Sequence, residues 1–266
     1  MSDSKIDFSI SVAVVLYNSS ISAVNNQARN ILESTKNFKK VTLYLINNSV
    51  DNVGLSSGLR DLERNPRIKV LIPSANQGFG KGNNMVLPYL QSDYHFVVNP
   101  DVVIPNENQL KRMLDFLHVH TEYGLLTPLI KYPSGEEQHL MKREANVLDM
   151  GLRFLNLSLF KKRQERFVCL PDGYKSIHDA ENVPGSFMLF RTEVFRKIKG
   201  FDEKYFLYME DSDITMKTRQ VSRVVFFPES YVYHEWQRNN RKSLSGIFQM
   251  LTSMFVYFNK WGWRLW

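Results

Sequence analysis

The chain has a single cysteine, Cys169, among 266 residues, so no internal disulfide framework can staple it and its stability has to come from a buried apolar core. It contains no internal repeat and no low-complexity segment, which excludes repeat architectures and linker-like chains. No run of about 20 residues is apolar enough to span a bilayer. The best candidate, 244–266, is interrupted by Gln249, Asn259, Lys260 and Arg264, although it could still lie on a membrane surface. The opening MSDSKIDFS has neither the basic n-region nor the apolar h-region of a secretory signal, so the expected compartment is the cytoplasm. Acid is in the minority: 27 Asp and Glu stand against 34 Lys and Arg, for a formal charge of +7. That balance favours polyanions, whether nucleic acid, an anionic membrane face or a phosphorylated small molecule. The 43% hydrophobic content excludes disorder as the default and suffices for one large α/β domain or two small ones.

The first hundred residues alternate β-branched runs with helical stretches: ISVAVVLYN (10–18), VTLYLINNS (41–49) and IKVLIPS (68–74), then a glycine-rich turn. Continuous apolar strands separated by helices are what a parallel sheet covered on both faces requires, so the first half reads as a doubly wound, nucleotide-type unit. In PNENQLKRMLDFLHVH, Leu110, Met113, Leu114 and Leu117 recur at i, i+3, i+4 and i+7, with Asn106 as the expected cap and Gln109 three residues on. From Tyr132 to Asn182 periodicity fades between Pro133, Gly135, Pro171 and Gly173, which predicts long loops and short elements, and loops of that length are usually functional. Regular structure resumes in GSFMLFRTEVFRKI (185–198) and VVFFP (224–228), ahead of an aromatic, basic tail.

Three stretches can carry chemistry. In HFVVNPDVVI (95–104) an apolar strand stops at Asn99-Pro100-Asp101. Ligands of parallel sheets sit beyond the carboxyl ends of the strands, so Asp101 is placed to hold Mg²⁺ or Mn²⁺ together with ligand phosphates. A plain Pro-Asp turn is the alternative. In NQGFGKGNN (76–84), Gly78, Gly80 and Gly82 would let backbone approach a ligand and Lys81 could meet a phosphate, yet Asn83 and Gly82 break the dinucleotide and P-loop fingerprints. In YMEDSDITMKTRQ (208–220), Glu210, Asp211 and Asp213 crowd a helix start, where the dipole keeps a carboxylate ionised and able to accept a proton. Acidic helix caps are the alternative there.

The order of YN (17–18), INNS (46–49), NQGFGKGNN, VVNPDV, PGSFMLFRTEVFRKIKGFDEKYFLYMEDSDI and YVYHEW resembles glycosyltransferase family two, in particular its bacterial rhamnosyltransferase-like branch of surface-polysaccharide enzymes. The resemblance covers roughly residues 9–240 and is most specific from Gly185 to Asp213. It implies a GT-A fold over residues 1–240, with a Rossmann-like, mostly parallel central sheet and flanking helices, followed by a C-terminal amphipathic helical extension over 241–266. It also implies an NDP-sugar donor, Mg²⁺ or Mn²⁺, and inversion at the anomeric carbon. Carried over by position, Asp101 is the retained carboxylate of the metal and diphosphate motif. Asp211, paired with Glu210, matches the catalytic base, and Gly185 and Ser186 match the acceptor-side loop. His234 stands where some members help hold metal or diphosphate, though a structural hydrogen-bonding role stays open. The donor side comprises Tyr17, Asn18, Asn47, Asn48, Asn76, Gly78, Lys81, Asn83, Asn99 and Asp101. At Asn47 the family commonly has an aspartate that contacts the nucleobase; an amide offers donors as well as an acceptor, so that contact could pass to Asp51.

The expected partners are dTDP-rhamnose, a lipid-linked saccharide acceptor such as an O-antigen intermediate, and the inner face of the membrane, with no nucleic acid. Phe248, Leu251, Met254, Phe255 and Phe258 recur at helical spacing ahead of Trp261, Trp263 and Trp266, which suits either a bilayer headgroup zone or packing on the protein body. A second basic-aromatic stretch spans 153–167, and Arg238, Arg241 and Lys242 could clamp diphosphate or face anionic lipid. Two competing readings are a sugar nucleotidyltransferase, which needs a basic glycine-rich loop where Tyr17-Asn18-Ser19-Ser20 stands, and a non-enzymatic basic membrane or nucleic-acid module, which leaves the carboxylates unexplained.

Overall fold

Alternate residues of the first strand face opposite cores. In the computed structural model, which describes residues 6–154, 160–235 and 244–266, Val12, Val14 and Leu16 enter one apolar cluster while Ala13 and Val15 enter another. A strand buried on both faces has no room for polar alternation, which is why it reads as a continuous apolar run.

That strand, β1 (Ile6–Leu16), is followed by α1 (Ile21–Glu33), β2 (Phe38–Asn47), α2 (Val53–Leu62), β3 (Ile68–Leu71), α3 (Gly78–Asn84), β4 (Tyr94–Val98), β5 (Val102–Val103) and α4 (Glu107–Val119). Then come β6 (Tyr123–Lys131), α5 (Val147–Phe154), α6 (Lys161–Phe167), β7 (His178–Asp179), β8 (Phe187–Arg191), α7 (Thr192–Lys197), α8 (Glu210–Arg219), β9 (Arg223–His234) and α9 (Leu244–Trp261). The sheet runs β3-β2-β1-β4-β8-β6-β9-β5, with β7 beside β9. Its first four members are mutually parallel, as the sequence predicts. Beyond β4 the chain departs from simple double winding: β8 enters antiparallel to both β4 and β6, whereas β6 and β9 pair in parallel over a long register.

Local signals set the helix ends. Ser20 Oγ accepts the Ala23 N–H at 3.2 Å and Asn52 Oδ1 accepts the Leu55 N–H at 2.9 Å, satisfying donors that α1 and α2 leave open. Asn106 does occupy the cap position of α4, but the capping box expected there does not form. The Asn106 side chain makes no capping bond, and Gln109 Oε1 accepts instead from the Tyr231 N–H at 2.9 Å and from Arg112, tying α4 to β9. Among its described residues, the aperiodic stretch from Tyr132 to Asn182 holds only short elements, α5, α6 and β7.

The apolar stripe expected on α9 is split between two faces. Tyr257 and Phe258 are buried in a cluster with Ala145, Tyr205 and Met209, and Met254 and Trp261 pack against it. Phe248, Leu251 and Phe255 point outward, as do Trp263, Leu265 and Trp266 beyond the helix end. The tail folds back so that the Val147 and Leu148 N–H groups donate to the Arg264 and Leu265 carbonyls at 2.8 and 3.1 Å. Among the described residues no helix is long and apolar enough to cross a membrane.

The glycines of α3 are packed closely by the protein itself. Gly78 has φ +73°, and a Cβ there would lie 2.1 Å from the Phe206 carbonyl oxygen; Cβ atoms on Gly80 and Gly82 would press on Phe201 and Val15. Gly78→Ala is expected to lower stability by at least about 2 kcal/mol in urea unfolding, because a left-handed backbone and a backbone clash coincide. Gly151→Ala, inside α5 with nothing within 4 Å of the added methyl, should instead be neutral or stabilising by up to about 1 kcal/mol.

Candidate active site

The strand ends converge where β4 meets β8. Val98 pairs with Phe187, and one residue further the Asn99 N–H donates to the Ser186 carbonyl at 2.9 Å. The chain then turns at Pro100-Asp101 into β5, which pairs with the end of β9, so Val102 lies opposite His234. This pairing brings Asp101 Oδ1 to 3.3 Å from His234 Nε2. On the far side of the ring, Gln138 Nε2 donates to the His234 carbonyl at 2.5 Å, which leaves Gln138 Oε1 facing Nδ1 at 3.1 Å. With the proton on Nδ1, His234 presents its Nε2 lone pair to a carboxylate oxygen. Two acceptors at that separation repel unless a proton or a cation lies between them. The donor set, one carboxylate oxygen and one imine nitrogen oriented from behind, therefore fits a divalent cation. Among the described residues no group of three or more His, Cys, Asp or Glu is gathered; a pair of protein donors is the partial set with which Mg²⁺ is commonly held, beside water and ligand phosphate.

Gly185 and Ser186 connect this corner to the acidic helix. A methyl on Gly185 would sit 3.4 Å from Asp211 Cβ and 3.6 Å from Phe79, and Ser186 Oγ is buried with no partner among the described residues. Asp211 lies in the first turn of α8, where Oδ1 accepts the Ser212 N–H at 2.7 Å. Its Oδ2 lies 3.8 Å from Lys142 Nζ, and its side chain is 22% exposed. Asp101 and Asp211, far apart in sequence, thus belong to neighbouring segments around the β4–β8 junction.

The other sequence-predicted residues divide into lining and scaffold. Tyr17 is 59% exposed at the end of β1, and Asn18, at φ +53°, donates its N–H to Ser49 Oγ at 2.7 Å. Asn47 is fully buried and both ends of its amide are engaged, by the Ser49 N–H and by Ser56 Oγ. It cannot read a nucleobase in this arrangement, whereas Asp51 nearby is exposed. Asn48 donates to the Gly78 carbonyl at 2.8 Å and accepts from Gln77, and Asn76 Oδ1 accepts the Gly78 N–H at 2.9 Å, so both shape the glycine turn. Asn83 is buried and donates to the Phe79 carbonyl. Lys81 is exposed and pairs with Glu203 at 3.4 Å. Arg238, Arg241, Lys242 and the Trp236 of the YVYHEW motif lie outside the described residues.

Sequence reasoning misses Lys142 and Gln138, the residues that contact Asp211 and orient His234. Both sit in the aperiodic stretch, where no spacing marks them, and only the tertiary fold delivers them. A cavity of about 380 Å³ beside Lys142 is lined by Met141, Arg143, Cys169, His178 and Asn182, among others.

A family model described as Glycosyl transferase family 2 matches residues 11–199. N-acetylglucosaminyl-diphospho-decaprenol L-rhamnosyltransferase of Mycobacterium tuberculosis is 27% identical over 194 residues, 65% of this chain and 60% of that protein. Rhamnosyltransferase WbbL of Escherichia coli K12 is 24% identical over 192 residues, 68% of this chain and 69% of that protein. The chain thus spans about 60% of the length of the mycobacterial relative. Among solved structures, a mannosyltransferase, PcManGT, from Pyrobaculum calidifontis, in complex with GDP-Man and Mn²⁺, superposes with TM-score 0.67 at 15% identity, covering 97% of this chain and 66% of that one. S. aureus TarS 1–349 in complex with UDP-GlcNAc gives 0.57 at 19% identity, over 88% of this chain and 60% of that one. At such identity these likenesses show the fold, the α/β GT-A arrangement with its largely parallel, curled sheet.

The electrostatics of the acidic turn yield a test. Glu210 is 8% exposed with Oε2 unpartnered among the described residues; burial first, then the Asp211 charge, raises its pKa to about 8. It is a neutral acid at pH 7. Because the fold binds this proton more tightly than the unfolded chain, the associated stability is complete below the ordinary value near 4.5 and lost as pH rises through about 8. Thermal melting should therefore fall over that window in the parent, and Glu210→Gln should flatten the profile and melt higher than the parent above pH 8.

Proposed function

The chain belongs to glycosyl transferase family 2, and from that membership we propose that it is an inverting, metal-dependent transferase that moves one sugar, rhamnose from dTDP-rhamnose, onto a lipid-linked saccharide acceptor in surface-polysaccharide assembly. The observation that carries this reading is the junction of β4 and β8. Two facts there support it: Asp101 Oδ1, just past the end of β4, lies 3.3 Å from His234 Nε2, and partly exposed Asp211 adjoins Gly185, next to the Ser186 carbonyl that accepts the Asn99 N–H.

Each residue then has a separate task. Asp101 and His234 hold Mg²⁺ or Mn²⁺, which when bound neutralises the charge that grows on the departing diphosphate. Gln138 fixes the histidine tautomer and ring plane. Asp211 accepts the proton of the incoming hydroxyl on the opposite face, with Oδ1 anchored by the Ser212 N–H and Oδ2 3.8 Å from Lys142 Nζ. Glu210, neutral and sealed, leaves the base role to Asp211 alone, and a single base suffices because the diphosphate leaves without an acid. Tyr17, Asn18, Asn76, Asn99 and Asp51 line the donor side, with Asn47, Asn48, Gly78 and Asn83 as its scaffold. The acceptor enters past Gly185 and the cavity beside Lys142. The donor and acceptor are supported by the names of the mycobacterial and E. coli relatives, both rhamnosyltransferases and the former acting on a diphospho-decaprenol.

Residues 1–240 form the catalytic domain and 241–266 an extension that rests on the inner face of the membrane. Phe248, Leu251, Phe255, Trp263, Leu265 and Trp266 are exposed together on a chain of charge +7, which suits an anionic bilayer holding a lipid-linked acceptor. The protein is thus cytoplasmic and peripheral.

A panel of NDP-sugars with Mn²⁺ or Mg²⁺, read as nucleoside diphosphate release onto N-acetylglucosaminyl-diphospho-decaprenol, is expected to single out dTDP-rhamnose. Asp101→Ala should abolish cation-dependent binding of dTDP. Asp211→Asn should spare that binding and slow transfer by about 10²–10⁴-fold; normal transfer by this variant would show that another group is the base. Phosphatidylglycerol vesicles should co-sediment the parent, and Phe255→Ser with Trp263→Ser should release it to the supernatant.

A further inference from the structure

The residues just ahead of the acidic turn have an unusual backbone. Tyr208 and Met209 are consecutive non-glycine residues at φ +70° and +64°, and Met209 occupies the cap position of α8 without a side-chain capping bond. Left-handed conformations in such residues cost of order 1 kcal/mol or more each and persist only where the surroundings over-determine them. Here the surroundings are α9. Ser253 Oγ donates to the Leu207 carbonyl at 2.8 Å, directly before the left-handed pair. The Met209 side chain is buried against Tyr257 and Phe258. Four residues beyond Met209, in the first turn of α8, Asp213 is fully buried, and its Oδ1 accepts from Trp261 Nε1 at 2.8 Å and from Tyr205 at 3.3 Å. Lys260 Nζ lies 2.8 Å from the same oxygen and 2.7 Å from Asp202 Oδ2.

We infer that α9 is a positioning element for the catalytic base: by gripping Leu207, Met209 and Asp213 it holds the left-handed turn that presents Asp211 to the acceptor hydroxyl. Asp213 is the anchor, a buried carboxylate whose partners come from the C-terminal extension and from the loop ahead of the turn. A carboxylate sealed away from solvent is expensive unless charged and hydrogen-bonded partners reach it; Oδ1 gathers Trp261, Tyr205 and Lys260 while Oδ2 has no partner among the described residues, so the hold of α9 on α8 is concentrated on one oxygen. The inference deepens the transferase reading and rests on it for the identity of the base.

The test uses the full chain with Ser253→Ala, Trp261→Phe, Lys260→Met and Lys260→Arg. Trp261→Phe keeps an aromatic ring but loses the N–H donor and part of the indole's bulk, so Ser253→Ala, which deletes a single hydroxyl, is the control against simple unfolding. With dTDP-rhamnose, Mn²⁺ and N-acetylglucosaminyl-diphospho-decaprenol, kcat should fall at least about tenfold in Ser253→Ala and Trp261→Phe while affinity for dTDP is unchanged. Lys260→Arg should retain more of kcat than Lys260→Met. Hydrogen exchange should accelerate in the peptide spanning 205–213 and stay unchanged in β4. Unchanged kcat with lowered melting, or dTDP affinity lost in parallel with kcat, would overturn the inference. The exchange result decides it even if no NDP-sugar turns over, since protection of 205–213 that is indifferent to Ser253 and Trp261 refutes the grip, whereas absence of turnover in the parent refutes the transferase reading alone.

Discussion

The candidate site depends on the antiparallel pairing of β4 with β8. A parallel sheet ends in a row of carboxyl termini, but a row alone does not make a site, because nothing returns across it. By entering antiparallel beside β4, β8 starts where β4 stops, and the Asn99–Ser186 hydrogen bond fixes the two ends in register. The loop that ends β4 carries Asp101, and the segment that begins β8 abuts Asp211. A slip of one residue in this register would turn every side chain of β8 to the opposite core, so burial of Phe187, Met188, Leu189 and Phe190 on the two faces specifies the position of chemistry that none of them performs.

Burial also divides the labour among the polar residues. Glu210 and Asp211 are adjacent in sequence, yet one is sealed and held neutral while the other touches solvent and a lysine. His234 is likewise sealed except toward Asp101. The asparagines follow the same rule. Those facing inward, Asn47, Asn48 and Asn83, satisfy backbone and hydroxyl groups of the loops, which an amide does without the cost of burying a charge.

Much of the fold was legible in the chain because it rests on short-range pattern. The apolar runs of β1, β2 and β4 and the stripe of α4 follow from periodicity. The place of Asp101 at a strand end and of Asp211 in a first helical turn was also legible. What sequence could not supply was pairing over long separations. Nothing local says that Gln138 orients His234, that Lys142 reaches Asp211, or that Gln109 serves β9 rather than its own helix cap. Glycine marks a close approach but not what approaches, and here the neighbour at Gly78 is the Phe206 carbonyl. The stripe on α9 left packing and membrane contact open, since a residue pattern shows that apolar faces exist and not how one helix divides them between protein and exterior.

The contact between Gly78 and Phe206 has a mechanical consequence. The Phe79 N–H also donates to the Phe206 carbonyl at 3.1 Å, so the glycine turn and the segment leading into the acidic helix share one backbone hinge point. Moving either segment alone would cost that hydrogen bond, so the glycine turn and the approach to the acidic helix are mechanically coupled.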